Sequence, residues 1–533
     1  MTADKSNIKN ESFLSKVRAV IWPVYGNENL KFIPMALMMA LILFNYTILR
    51  GTKDALVISG EGSGSEVTSF LKVWGVLPFA IMFFFFYSKM SNLLSRPALF
   101  YTVIMIFVVF FAAFTIFLYP NRDALHMGPE KLFAMQAEYP FAKWLIPMLA
   151  NWTDSLFYIM AELWGSVVLS LLFWQLANLS TRVNEAKRFY GFFGLIGNMG
   201  VMLSGFATKY FDTLGKEATL ASGNTIDGYG TTIGWICGSV AISAVIIMAL
   251  FFFVNNKVIA NPKYAPQEGE APKKKSKPKL SLGDSFKQIF TSKYLAYIAL
   301  LVVIYGITMN LIEQTWKSQM KIAFPSRAEY NAAMGDVFIW ISVLTMIFML
   351  LGSNLLRIFG WLTSALITPI VILITGGVFF AMILFPDTFR PYMMEMGISL
   401  TAVQVACMFG QWQQVLAKST KYSLFDPTKE MAYIPLDDDM KIKGKAAVDV
   451  VGGRLGKSGG ALLQQILLVV TAGTQITIAP YLAGLVIVGL GIWFWAVFGL
   501  NKLFVAKNKE PSGGQKDKEA ANIEKPSVER KSA

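Results

Sequence analysis

Twelve apolar runs, each near or above the roughly 20 residues a helix needs to cross a bilayer, divide this chain of 533 residues. Runs of this length and composition read as transmembrane helices. They fall at about 30–57, 70–87, 98–119, 156–177, 189–206 and 232–254, then at 294–316, 337–356, 360–385, 397–417, 451–473 and 480–500. The first exceeds the length needed and has room to kink, tilt or unwind around Arg50-Gly51.

Six runs precede and six follow the stretch 255–293, which holds Pro262, Pro266, Pro272 and Pro278, nine lysines and three acids. That stretch reads as a basic cytoplasmic linker. The expected architecture is an all-α membrane protein, about twelve transmembrane helices in two six-helix halves, major-facilitator-like. Residues 1–29 form an N-terminal segment with an amphipathic surface helix near 13–25, 30–254 the first half and 294–500 the second. Residues 501–533, low in apolar side chains, form a disordered tail. The N-terminal tail, Lys187 and Arg188, the 418–445 segment and the C-terminal tail carry the lysine and arginine on the linker's side of the membrane. The positive-inside rule then puts both termini in the cytoplasm. The first twenty residues contain acids and no apolar core, so they are not a secretory signal.

Composition narrows the chemistry. Hydrophobic residues make up 54% of the chain and charged ones 15%, a membrane-protein balance. Cys237 and Cys407 lie in apolar runs and imply neither a disulfide nor a metal site. His126 is the sole histidine and falls between runs, so neither a histidine relay nor a histidine-ligated metal lies within the membrane, and no cofactor is expected. The net charge of +14 suits an anionic lipid surface or an anionic substrate; scattered over loops and tails, it does not describe a nucleic-acid footprint.

Charge inside an apolar run costs about 2.5–3.5 kcal/mol even on the lenient insertion scale, so it marks function. Run one carries Arg50 and Lys53, three apart and on one helix face, with Asp54 beside them. Run four carries Glu162, run seven ends with Glu313 and Lys317, run ten holds Gln411, Gln413 and Gln414, and run eleven holds Lys457. Helices one, four, seven and ten line the cavity of six-plus-six transporters, and that is where most of this polarity lies. At the helix ends, Arg50, Lys317 and Lys418 could equally touch headgroups, and Asp154 reads as an N-cap. Between runs ten and eleven, 425–461 has an acidic section, then Lys441, Lys443 and Lys445, then Arg454 and Lys457 among glycines. Gly456-Lys457-Ser458 copies the tail of a phosphate loop, but Val451 replaces its first glycine and no strand precedes it. Lys457 is therefore either an anion-binding lysine or one that snorkels from a closely packed helix. Basic groups around an aqueous cavity with carboxylates nearby suit a polyanion such as a nucleotide. Tyr46, Phe157, Tyr158 and Trp316 are candidates to stack a base.

Several long motifs, in order from about residue 17 to 504, give the chain a specific likeness. They are FNYTILRGTKDALV (44–57), FLKVWGVLP (70–78), MAELWGSVVLSLLFW (160–174), EAKRFYGFFG (185–194), KPKLSLGDSF (277–286), NLIEQTWKSQ (310–319), KYSLFDPTKEMAYIPLD (421–437) and KGKAAVDVVGGRLGKSGGA (443–461). With them the chain resembles the ATP/ADP translocases of obligate intracellular bacteria and plastids, a nucleotide transporter family. The resemblance implies a monomer in a bacterial inner membrane that takes ATP from a host in exchange for ADP, with phosphate a further possible substrate. It also implies that two lysines and two glutamates, here Lys53, Glu162, Glu313 and Lys457, serve transport. Lys53 and Lys457 are expected to hold phosphate, and Glu162 and Glu313 either to pair with those lysines when the site is empty or to steer the base and ribose. Arg50, Lys317, Lys445 and Arg454 complete the candidate substrate site. Two departures from the family pattern bear on base selectivity: Gly51 where many members have aspartate, and QWQQVLA at 411–417, both expected beside the cavity. Rival classes are proton-coupled or broader nucleotide uptake, a membrane-embedded nucleotide hydrolase, and a nucleotide-gated channel.

Overall fold

The computed structural model describes residues 28–223, 227–261, 292–395, 400–436 and 452–509, with Val24 and Val448. The N-terminal amphipathic segment, most of the linker, the 437–445 charge run with Lys445, and the tail beyond Lys509 lie outside these residues; 501–509, expected to belong to the disordered tail, instead continue the last helix, Gln475–Lys509. Every one of the twelve expected runs is a helix: α1 Asn29–Ile58, α2 Ser65–Leu93, α3 Arg96–Leu118, α4 Trp152–Ser180, α5 Val183–Ala221, α6 Gly228–Ile259, α7 Lys293–Ala323, α8 Arg327–Leu351, α9 Ile358–Leu384, α10 Ala402–Thr420, α11 Gly453–Thr471 and α12 Gln475–Lys509. No strand occurs among the described residues.

Local chemistry sets the ends. Ser95 accepts from Ala98 N ahead of Pro97, Asp227 caps α6 and Ser292 caps α7. Ser326 with Glu329, and Thr401 with Gln404, form reciprocal capping boxes that start α8 and α10. Gly360, within the first turn of α9, has a φ of 76° that is open to glycine at little cost, and it kinks the otherwise continuous helical path from α8 into α9. α2 turns Ile81, Met82, Phe84 and Phe85 outward, and α11 turns Leu462, Ile466 and Val470 outward, as a lipid-facing surface requires.

The first helix does not unwind at Arg50-Gly51. It stays helical to Ile58, with its proline, Pro34, near the start. Gly51 packs against α8, where an added Cβ would lie 3.0 Å from Asn331 Oδ1 and 3.2 Å from Phe338. Its place is therefore a helix–helix seam and not the cavity wall.

The end where α6 stops and α7 starts is the linker end; the opposite one, where α1 and α7 stop, is the loop end. Hydrogen bonds and ion pairs between the halves gather from mid-depth to the loop end. Ser342 donates to Asn198 O, Thr68 to Gln314, and Ser69 to Gln464, while Gln475 N donates to Glu66 and Lys321 to Ser63 O. Arg327 of α8 reaches Asp154 of α4 at 3.1 Å, and Lys209 of α5 reaches Asp336 of α8 at 2.6 Å. Asp154 is thus a bridge between halves; the α4 N-cap position belongs to Asn151.

Candidate functional site

With the halves joined at the loop end, a cavity of about 290 Å³ opens between them. From the first half it is lined by Tyr46, Arg50 and Lys53 of α1, Lys72, Val76, Leu77 and Ala80 of α2, and Tyr158, Glu162 and Ser166 of α4. From the second come Tyr305, Gly306, Met309, Asn310, Glu313 and Lys317 of α7, Lys418 of α10, Lys421 and Tyr422 just beyond it, and Arg454, Lys457 and Ser458 of α11. Eight basic side chains therefore face two carboxylates, Glu162 and Glu313.

The site's deepest part is an ion-pair network that crosses between the halves. Asp54, fully buried, holds Lys53 at 2.9 Å through Oδ1 and Lys317 at 2.9 Å through Oδ2. Lys53 also meets Glu162 at 3.0 Å and sits 3.8 Å from the centroid of the Tyr158 ring. Glu313 Oε1 gathers Arg50 at 2.9 Å, Lys317 at 3.2 Å and Lys418 at 3.5 Å. Burying charge repays its desolvation only when each ion has close partners, and here each has at least one. Two links, Arg50–Glu313 and Asp54–Lys317, join α1 of one half to α7 of the other. Arg50, Lys317 and Lys418 are accordingly cavity groups and not headgroup contacts.

Outside this network the balance changes. Lys421 is paired with Asp426 at 2.8 Å, but Lys72, Arg454 and Lys457 have no ion pair among the described residues. Lys457 is exposed into the cavity from the second turn of α11. Its neighbour Gly456 lets α11 approach α7 so closely that an added Cβ would come within 2.8 Å of Val303 O, with Gly306 directly opposite. The glycines thus serve helix packing, and that packing directs Lys457 into the cavity.

All four residues singled out by motif and position, Lys53, Glu162, Glu313 and Lys457, line one cavity, together with Arg50, Lys317 and Arg454. Lys53 and Glu162 pair as expected. Glu313 does not pair with Lys457: three nearer cations take it. Gln413 and Gln414 are buried in the α7–α10 contact, bonded to Met309 and to each other, so they do not flank the cavity. Phe157, Tyr158 and Trp316 are all fully buried, Tyr158 bordering the cavity beneath Lys53, which leaves Tyr46, joined by Tyr305 and Tyr422, as the aromatic surface available to a base. Sequence reasoning missed Lys72, Lys421 and Asp54's role as the shared partner. Lys72 stands two residues into a run, where it passes for a helix-end lysine.

Twelve helices in two halves around one strongly cationic, inter-half cavity define a membrane transporter of the major facilitator type. Comparison of whole folds agrees. A bacterial homologue of the iron transporter ferroportin, crystallised in an inward-facing state, superposes with a TM-score of 0.51 over 90% of this chain and 98% of its own at 11% identity. A D-xylose–proton symporter gives 0.50 over 87% and 97% at 13% identity. The chain belongs to the TLC ATP/ADP transporter family, whose model matches residues 7–504. Proteins named ADP,ATP carrier protein 1 are 46% identical in Chlamydia muridarum, over 93% of this chain and 92% of the relative, and 42% in Rickettsia bellii, over 93% and 98%. A chloroplastic one from Arabidopsis thaliana is 43% identical over 93% of this chain and 78% of its own length.

Proposed function

We propose that this chain is an ATP/ADP antiporter of a bacterial inner membrane that takes up host ATP in exchange for ADP by alternating access. The observation that carries the reading is the cavity's charge: eight cations against two carboxylates, with Lys72, Arg454 and Lys457 without an ion pair among the described residues. The names of the relatives supply the base. Phosphate oxygens occupy Lys53 and Lys457, with Arg50, Lys317 and Arg454 beside them; Lys445, outside the described residues, completes the set. Glu162 and Glu313 hold their cations while the site is empty and release them to the incoming phosphates. An emptied site leaves uncompensated cations in a medium of low dielectric, so it reorients reluctantly without an anion. Exchange is then obligatory, and ATP crosses without being consumed.

The protein works as a monomer in the bilayer. Residues 30–254 and 294–500 act as the two rocking halves, and 255–293 as the cytoplasmic linker. The linker end and both termini face the cytoplasm on the positive-inside rule. A cysteine replacing exposed Asn256 labels only from the cytoplasmic side and one replacing exposed Asp123 only from outside; the reverse pattern would overturn the orientation. The transport reading is tested with labelled ATP and proteoliposomes preloaded with ADP, GDP, UDP, phosphate or nothing. Uptake driven by internal ADP and by neither GDP nor UDP is expected. Equal uptake into empty vesicles, or its collapse on adding a protonophore, would replace antiport with uniport or proton symport.

A further inference from the structure

We propose that Lys72 is a phosphate-binding residue of the transport site, meeting the nucleotide from α2 while Lys457 meets it from α11. The proposal rests on the nucleotide reading above and deepens it. The α2 residues that line the cavity are Lys72, Val76, Leu77 and Ala80, a helical stripe whose one charge is Lys72. It has no ion pair among the described residues, whereas its basic neighbours Lys53 and Lys317 each have two carboxylates. A lone ammonium at membrane depth opposes folding and repels those neighbours, unless an anion enters beside it.

The backbone around Lys72 supports the assignment. Leu71–Val76 is a π-helical turn within α2, a register change that recurs at functional sites. The turn and the residues just before it are tied across the halves to α11: Ser69 Oγ donates to Gln464 at 3.0 Å, Gln465 Nε2 to Ser69 O at 2.8 Å, and Trp74 Nε1 to Gln465 Oε1 at 3.2 Å. Gln464 lies two turns along α11 from Lys457, about 11 Å at 1.5 Å per residue. The seam thus fixes one unpaired lysine from each half on the same cavity, a spacing that a polyphosphate chain and two extended lysines can cover. A lysine here for snorkelling alone would reach for the membrane surface and would need neither the π turn nor the cavity.

Calorimetry of purified full-length protein with ATP and ADP tests the assignment in wild type, Lys72→Ala, Lys72→Gln and Lys72→Arg. Loss of one hydrogen bond to a charged group is expected to weaken binding about 10- to 150-fold in the Ala and Gln proteins. Arg should recover part of the loss, since it keeps the charge and changes the geometry. The rise in Tm that ATP produces, measured in each variant against its own baseline, reads the same loss even where substitution lowers stability. Wild-type affinity and a wild-type ATP shift in Lys72→Gln would overturn the assignment and leave the transport reading intact. Absence of nucleotide binding by the wild type would overturn both.

Discussion

Neutralising Asp54 should open the loop end. Asp54→Asn keeps the side chain's shape but removes the charge that Lys53 and Lys317 share at 2.9 Å each, in a place without solvent exposure. Breaking a buried pair by removing one partner costs about 3–5 kcal/mol, since an uncompensated charge is left behind. Lys53 keeps Glu162 at 3.0 Å and Lys317 keeps Glu313 at 3.2 Å, so the lower end, about 3 kcal/mol, applies. Asp54–Lys317 exists only while the halves meet at the loop end, so that cost falls on the closed arrangement. At 1.4 kcal/mol per tenfold, the ratio of open to closed loop end should rise about 150-fold. The reporter is Ser65→Cys, at a buried residue whose hydroxyl has no hydrogen-bond partner, in a background where Cys237 and Cys407 are replaced. Its rate of modification by a membrane-impermeant thiol reagent should rise toward that factor in the Asp54→Asn protein, and ATP/ADP exchange should fall. An unchanged labelling rate together with an unchanged Tm would refute the view that this ion pair holds the halves together.

Gly205→Ala should act on the same equilibrium by sterics: its Cβ would fall 2.5 Å from Gly335 O at the α5–α8 seam, so Ser65→Cys labelling should rise without any change of charge. Lys457→Ala should weaken ATP and ADP binding about 10- to 150-fold in calorimetry, with Lys457→Arg a partial rescue; full tolerance of Arg and unchanged affinity in Ala would make Lys457 a packing residue. His126, half-buried on the loop side and 2.6 Å from Thr153 Oγ1, is pushed down to about 4 by burial, with Arg327 and Arg122 adding to the effect. An unfolded histidine titrates near 6.5, so as pH falls from about 6.5 to 4 the unfolded chain takes a proton that the folded one refuses. Stability contributed by the neutral ring is lost over that window. His126→Gln should therefore show a smaller drop in Tm between pH 7 and 4.5 than wild type, and an equal drop would remove His126 from the account.

The bilayer made much of this molecule legible in one dimension. A span must be a long apolar helix, so all twelve could be read from the chain, and a charge such as Lys53, Glu162, Glu313 or Lys457 stands out because hydrocarbon tolerates none without a use. The family likeness agreed with that reading on the same four residues. What the chain could not disclose is who faces whom. Helix packing decides which of several cations reaches Glu313, and it chose Arg50, Lys317 and Lys418 over Lys457. It turned the amides of Gln413 and Gln414 into a helix contact, set Gly51 against α8, and made Asp154 a bridge to Arg327. Lys72 was hidden for a related reason: near a helix end its charge looks ordinary, and only the π turn of α2 and the seam with α11 bring it into the cavity. Hydropathy is a property of each segment against its solvent, readable residue by residue. Ion pairing is a contest among side chains brought together from distant segments, and only the folded chain holds that contest.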